Sequence, residues 1–165
     1  MIQFMVYIRI MSRGEIMRAP AKLYDEDFYA WTQEQAKFIK TGALDKLDIA
    51  NLVEEVESMG ASQKRELESR LIVILIHLLK WKYQPVMRSN SWLGSLVENR
   101  SELEILLAQN PSLTNTKVLQ EKLTEAYRHA IKKTVVETGL TKSAFPELCE
   151  WTIKQVLDDD FLPKD

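Results

Sequence analysis

Between Arg70 and Lys80 the chain reads LIVILIHLL, in which His77 is the only residue that is not apolar. With its neighbours from Ser62 to about Tyr83, this run has helical character and is apolar on nearly every side after Arg70. A helix without a solvent face has to be enclosed by other helices, because water would otherwise wet most of its surface. The run therefore predicts an all-α fold, a compact bundle with the helix over residues 62–83 at its centre.

Glycine and proline mark out the other helices. Gly42, Gly60 and Gly139 each follow a stretch with helical periodicity, and Pro85, Pro111 and Pro146 fall between such stretches. Glycine closes a helix by taking the left-handed conformation, and proline cannot continue one because it lacks an amide hydrogen. About six helices result. The first covers roughly Asp25 to Thr41, with Asp25, Glu26 and Asp27 complementing its N-terminal dipole. The second runs from Asp48, its N-cap, to Met59 and is expected to turn Ile49, Leu52, Val53, Val56 and Met59 inward. The third is the central helix, and the fourth spans about Ser91 to Gln109. The fifth, from about Thr116 to Thr138, has Leu119, Leu123, Ala126, Tyr127, Ala130, Ile131 and Thr134 as its buried stripe. A short sixth begins at Thr152, whose distance to Gln155 is that of a capping box.

A chain of 165 residues suits one domain and can bury about two thirds of its unfolded surface, so it needs no metal or disulfide staple. We expect a single helical domain over residues 23–163, preceded by an accessory N-terminal extension over residues 1–22. In that extension Ile2, Phe4, Val6, Ile8 and Ile10 alternate with other side chains, a period-two pattern that permits a strand. The stretch is shorter than the roughly 20 residues a membrane span needs, and Arg9 interrupts it. Its positive charges come late, unlike those of a secretory signal. The lone Cys149 has no internal disulfide partner, so the expected location is cytoplasmic, with no membrane association. A net charge of -2 gives no field of the kind a dedicated nucleic-acid binder carries.

Several ordered segments carry a resemblance. LYDEDFYAWTQEQAKFIKTG, LDIANLVEEVESMG, LIHLLKWKYQP, SNSW, NPSL, VVETGL and CEWTIKQVLDDDFLP together look like the bacterial domain-of-unknown-function family numbered 29, over nearly everything from Leu23 to Pro163. The resemblance implies an almost wholly helical cytosolic bacterial protein, of a family widespread in cyanobacteria, and implies no activity. Two features depart from the pattern: the first 22 residues lie outside it, and Glu150 follows Cys149 where a proline is expected.

Polar residues on the second and third helices form the candidate chemistry. Asp48, Asn51, Glu55 and Ser58 recur along one edge of the second helix, and Glu66, Arg70, His77, Lys80, Trp81 and Gln84 along one flank of the third. In a hairpin of these helices the two lines could meet, with Glu55 and Asn51 satisfying Arg70 or His77. The bland reading is a paired, inert core network. The functional reading gives His77 a titratable role, with Glu55 orienting it and Arg70, Lys80 or Arg88 holding an anion. Trp81, Tyr83 and Trp92 beside basic side chains invite base stacking, but their spacing fits helix packing better, and nucleic acid is not the expected partner. Arg70, His77 and Glu55 are thus the candidate catalytic residues, and Lys80, Trp81, Arg88 and Trp92 the candidate binding residues.

No glycine-rich phosphate loop, nucleophile elbow or HExxH motif occurs. Asp158, Asp159 and Asp160 read as a solvated tail, and His129 as a surface group. No metal and no cofactor is expected. The pattern favours a non-enzymatic protein-interaction module, with an antitoxin-like role as one form of it, that binds a protein partner or itself through the fourth and fifth helices, with Arg100, Glu104, Lys122, Arg128 and Lys132 on the exposed face. The alternative is a metal-independent ribonuclease-like enzyme, since the spacing of Arg70 and His77 loosely resembles the arginine-to-histidine motif of helical, dimeric ribonucleases.

Overall fold

A computed structural model describes residues 21–164, and the alternating stretch Ile2–Ile10 lies outside them. Six α-helices and no strand occur among the described residues: α1 (Ala21–Glu26), α2 (Phe28–Thr41), α3 (Ile49–Tyr83), α4 (Asn90–Gln109), α5 (Thr116–Thr138) and α6 (Ile153–Leu157). Short 3-10 turns cover Leu44–Lys46, Pro85–Met87, Pro111–Thr114 and Lys142–Ala144. The chain divides into two compact units, residues 1–58 and 59–165.

In the first unit, what reads as one helix from Asp25 is two. Asp27 leaves helical geometry and accepts from the Ala30 amide with its side chain at 2.9 Å. An N-cap aspartate satisfies one of the amides that a helix start leaves without a partner, and it begins α2 here. Gly42 ends α2 at φ 71, the left-handed conformation that glycine takes without a steric penalty. Trp31 and Gln35 are the buried residues of α2. The Gln35 side-chain oxygen accepts the Asp48 amide at 2.8 Å, and the Trp31 indole donates to the Asp48 carboxylate at 3.3 Å. Asp48 also accepts from the Asn51 amide at 3.3 Å, the N-cap role its sequence position predicts.

Gly60 overturns the expected break between a second and a third helix. It lies inside α3, which is continuous over 35 residues, and it has no positive φ. Glycine in a helix interior costs about 1 kcal/mol relative to alanine, which the long helix on either side outweighs. The inward stripe expected on residues 49–59 is not formed either: Ile49, Val53, Val56 and Met59 are exposed, and Leu52 is half-buried.

The second unit holds the main core. Leu67, Leu71, Ile74, Leu75, Leu78 and Leu79 of α3 are almost completely inaccessible. Against them pack Leu96, Leu103 and Leu106 from α4 and Leu123, Ala126, Tyr127, Ala130 and Ile131 from α5, with Phe145, Trp151 and Val156 completing the cluster. Each fully buried leucine or isoleucine contributes about 1.5–3 kcal/mol. The apolar run at 71–79 is therefore central within this unit, and the buried residues of α5 are those its repeat predicts. Gly139 ends α5 at φ 72, and Thr152 with Gln155 forms the expected capping box of α6.

Candidate functional site

The last turns of α3, the 3-10 turn after it and the start of α4 carry the candidate binding residues. A helix end leaves four carbonyls without intrahelical partners and carries partial negative charge. Arg88 answers that local need, and Lys80 and Lys82 pair with carboxylates instead. Arg88 Nε donates to the Trp81 carbonyl at 2.9 Å, and its guanidinium lies 5.1 Å from the centre of the Trp81 ring. Lys80 Nζ stands 4.7 Å from the centre of the Trp92 ring and bonds Glu137 on α5 at 2.9 Å. Lys82 sits over the Tyr83 ring and pairs with Glu150 at 2.5 Å. Tyr83 in turn meets Phe145 edge to face at 5.0 Å.

Lys80, Trp81, Arg88 and Trp92 thus form two cation–ring pairs, one tying α3 to the turn at its end and the other tying it to α4. A ring face covered by a cation is not open to a base, so these contacts fit helix anchoring. Glu150, which stands where the family resemblance leads one to expect a proline, supplies the carboxylate for Lys82.

His77 is half-buried, and its Nδ1 is a buried polar atom with no hydrogen-bond partner among the described residues. Burial lowers its pKa from the ordinary value and nearby Lys80 adds to this, while Glu137 acts in the opposite direction. Burial therefore favours the neutral imidazole. Thr134, fully buried on α5, is likewise without a partner for its hydroxyl.

Arg70 is held by side chains of its own unit: Glu66 at 3.4 Å, Glu102 at 3.5 Å and the Asn99 side-chain oxygen at 3.5 Å. Glu55 belongs to the first unit and accepts from the Tyr24 hydroxyl at 2.5 Å, which drives the Tyr24 pKa up to about 12 because the bond favours the protonated phenol. Asn51 donates to Asp48 at 2.6 Å. The expected hairpin is absent because α3 is continuous, and the partners of Asn51 and Glu55 are Asp48 and Tyr24 rather than Arg70 or His77.

Arg100 corrects the reading of an exposed α4–α5 face. It is only 3% exposed, and its guanidinium donates to the carbonyls of Val156 at 3.1 Å, Asp159 at 3.1 Å and Phe161 at 2.9 Å. Burial lowers its pKa, and Asp159 and Asp158 partly restore it. The signal was present in the spacing: Arg100 follows Leu96 by four residues and precedes Leu103 by three, so it stands on the apolar stripe of α4. Lys122 is half-buried and bonds Glu68 at 2.9 Å and Glu125 at 2.6 Å, whereas Glu104, Arg128 and Lys132 are exposed.

Other chemistry is sparse among the described residues. No group of three or more His, Cys, Asp or Glu side chains is placed to hold a metal ion, and no helix is long and apolar enough to cross a membrane. Cys149 is half-buried and its thiol pKa is raised, chiefly by burial, which lowers its nucleophilic fraction. His129 is exposed, 4.0 Å from Glu68. A shallow groove of about 600 Å³ is bordered by Lys82, Glu150, Trp151, Asp158 and Phe161.

Comparison with curated proteins and with solved structures gives no match. A family model does match, over residues 23–162, a span that takes in every described helix except the first two residues of α1. The chain belongs to the family described as domain of unknown function DUF29.

Proposed function

We propose that this protein acts by binding another protein, and that its N-terminal unit is the binding element. One observation carries the reading. Among the described residues up to Ser58, Trp31 is the only large apolar side chain that is buried, while Phe28, Tyr29, Ile39, Leu44, Ile49, Val53 and Val56 are each about half exposed or more. Single exposed apolar residues are ordinary on a protein surface, but so many on a unit this small mark an interaction surface. The exposed apolar residues of α4 and α5, Val97, Ile105 and Val136, are few by comparison. Antitoxin-like binding of a toxin is one form such recognition takes, and a toxin gene beside this one would support it.

The test is recovery of partners from extract of the source cells by the full chain and by a Val53→Asn/Val56→Asn variant. Both positions are exposed and asparagine has nearly the helix propensity of valine, so the variant is expected to melt within about 2 °C of the parent. A protein retained by the parent and lost by the variant supports the reading. Identical recovery by both overturns it.

A second reading, acid–base catalysis on RNA, is favoured by His77 alone: an imidazole whose burial favours the neutral form, with an Nδ1 that has no partner among the described residues, is chemically able to accept a proton. Arg70, two turns earlier, would hold a phosphate only by leaving Glu66, Glu102 and Asn99. Metal-free RNA cleavage that is abolished by His77→Ala, with the melting temperature little changed, supports this reading; no cleavage by the parent rejects it.

A further inference from the structure

We propose that the surface presented by Ile49, Val53 and Val56 receives a basic amphipathic helix from another polypeptide. The proposal rests on the reading of the N-terminal unit as the binding element and adds the chemistry of what it binds. Its first support is register. Ile49, Val53 and Val56 succeed one another at four and three residues, the spacing of a helix-packing seam. Further along α3, Gly60, Gln63, Leu67, Leu71, Ile74 and Leu78 follow at steps of three or four residues. In the second unit that seam is filled, since the last four of these side chains are inaccessible and packed among residues of α4 and α5. At Ile49, Val53 and Val56 it is 48%, 51% and 66% exposed. At Gly60, on the same line, a Cβ would meet nothing within 4 Å. Within the second unit, apolar side chains of α3 at this spacing are covered by other helices, and within the first unit the same spacing is open; the element that covers it in the second unit is a helix.

Charge decides which helix. Residues 21–58 contain nine acidic side chains against four basic ones. Glu57, which flanks the open seam one residue after Val56, is exposed and makes no ion pair among the described residues. In paired helices the residues flanking the apolar seam select the partner, and opposite charges there are favoured over like ones. A second copy of this chain would bring a second unit with the same excess of acidic side chains to the seam. A helix with lysine or arginine on both sides of its apolar stripe would not.

The experiment uses the full chain and two synthetic probes of 21 residues each. Both probes carry leucine at the seam positions; one has lysine and arginine on the flanks, the other glutamate. Binding is read by fluorescence anisotropy, with sedimentation to fix the stoichiometry. The basic probe is expected to bind at least tenfold more tightly than the acidic one in 50 mM salt, one per chain. The difference is expected to collapse in 1 M salt, where the screening length falls to about 3 Å, and Val53→Asn/Val56→Asn is expected to weaken the basic probe by tenfold or more. Equal binding of the two probes, lost in the variant, overturns the basic class while leaving the binding element in place. Binding of the basic probe that is indifferent to the variant overturns the location and with it the proposed role of this unit. No binding of either probe overturns the proposal, as does a dimer of the chain that the variant dissociates, which would make a second copy the occupant.

Discussion

Replacing Arg100 with alanine removes a guanidinium that is 3% exposed and bonded to the carbonyls of Val156, Asp159 and Phe161. The bond to Val156 is buried, and the other two are partly so. A hydrogen bond to a charged group contributes about 1.5–3 kcal/mol, and a buried carbonyl left without a partner costs a similar amount. The Val156 carbonyl has no route to water and counts in full, while those of Asp159 and Phe161 regain water and count for less. Loss of the packed side-chain stem adds to the total. Set against this is the relief of removing a buried charge, whose cost shows in the lowered Arg100 pKa. The balance is a loss of about 3–5 kcal/mol, in the range seen when one partner of a buried charged contact is removed. For a chain of this size that is a fall of roughly 6–20 °C in melting temperature. Arg100→Met keeps most of the stem but forfeits the same three bonds, and is expected to lose slightly less than Arg100→Ala. Circular dichroism melts of the three proteins give the magnitude. Hydrogen exchange gives the location, with protection lost first over residues 153–162. A shift below about 2 °C for Arg100→Ala, or unchanged exchange in that segment, refutes the assignment of Arg100 as the clamp on the C-terminal segment.

Gly60→Ala is expected to raise stability by about 0.5–1 kcal/mol, because Gly60 is helical and a Cβ there meets nothing within 4 Å; chemical denaturation measures it, and a loss of stability would show that the helix is broken at this position after all. His77 sets a pH dependence. Its folded-state pKa lies below the ordinary 6.5, so the unfolded chain takes up the proton first, and its contribution is constant above about pH 6.5 and turns destabilising as pH falls through that value. The slope of unfolding free energy between pH 7.5 and 5.5 is expected to be smaller in His77→Gln than in the parent, and equal slopes would refute the assignment.

How much was legible in the sequence varied from element to element. The apolar run at 71–79, the α5 stripe from Leu119 to Thr134, the glycines at 42 and 139 and the Thr152–Gln155 box were all readable, because each is decided by contacts within one helix or one helix end. Gly60 misled because glycine both ends helices and survives inside them, and the choice depends on the next turns being good helix formers. Arg100 carries opposed signals: its charge points to the surface, and its place between Leu96 and Leu103 points to the buried stripe.

The helical class and the identity of the most buried helix can be read from the residues alone, since periodicity and capping act over a few positions. Packing between distant stretches settles that Glu55 bonds Tyr24 rather than Arg70 or His77, and that Arg100 closes the C-terminal segment. Only the structure showed which part of the apolar seam on α3 is covered. Such pairings join residues tens of positions apart, and a side chain carries no mark of which distant backbone or carboxylate will reach it.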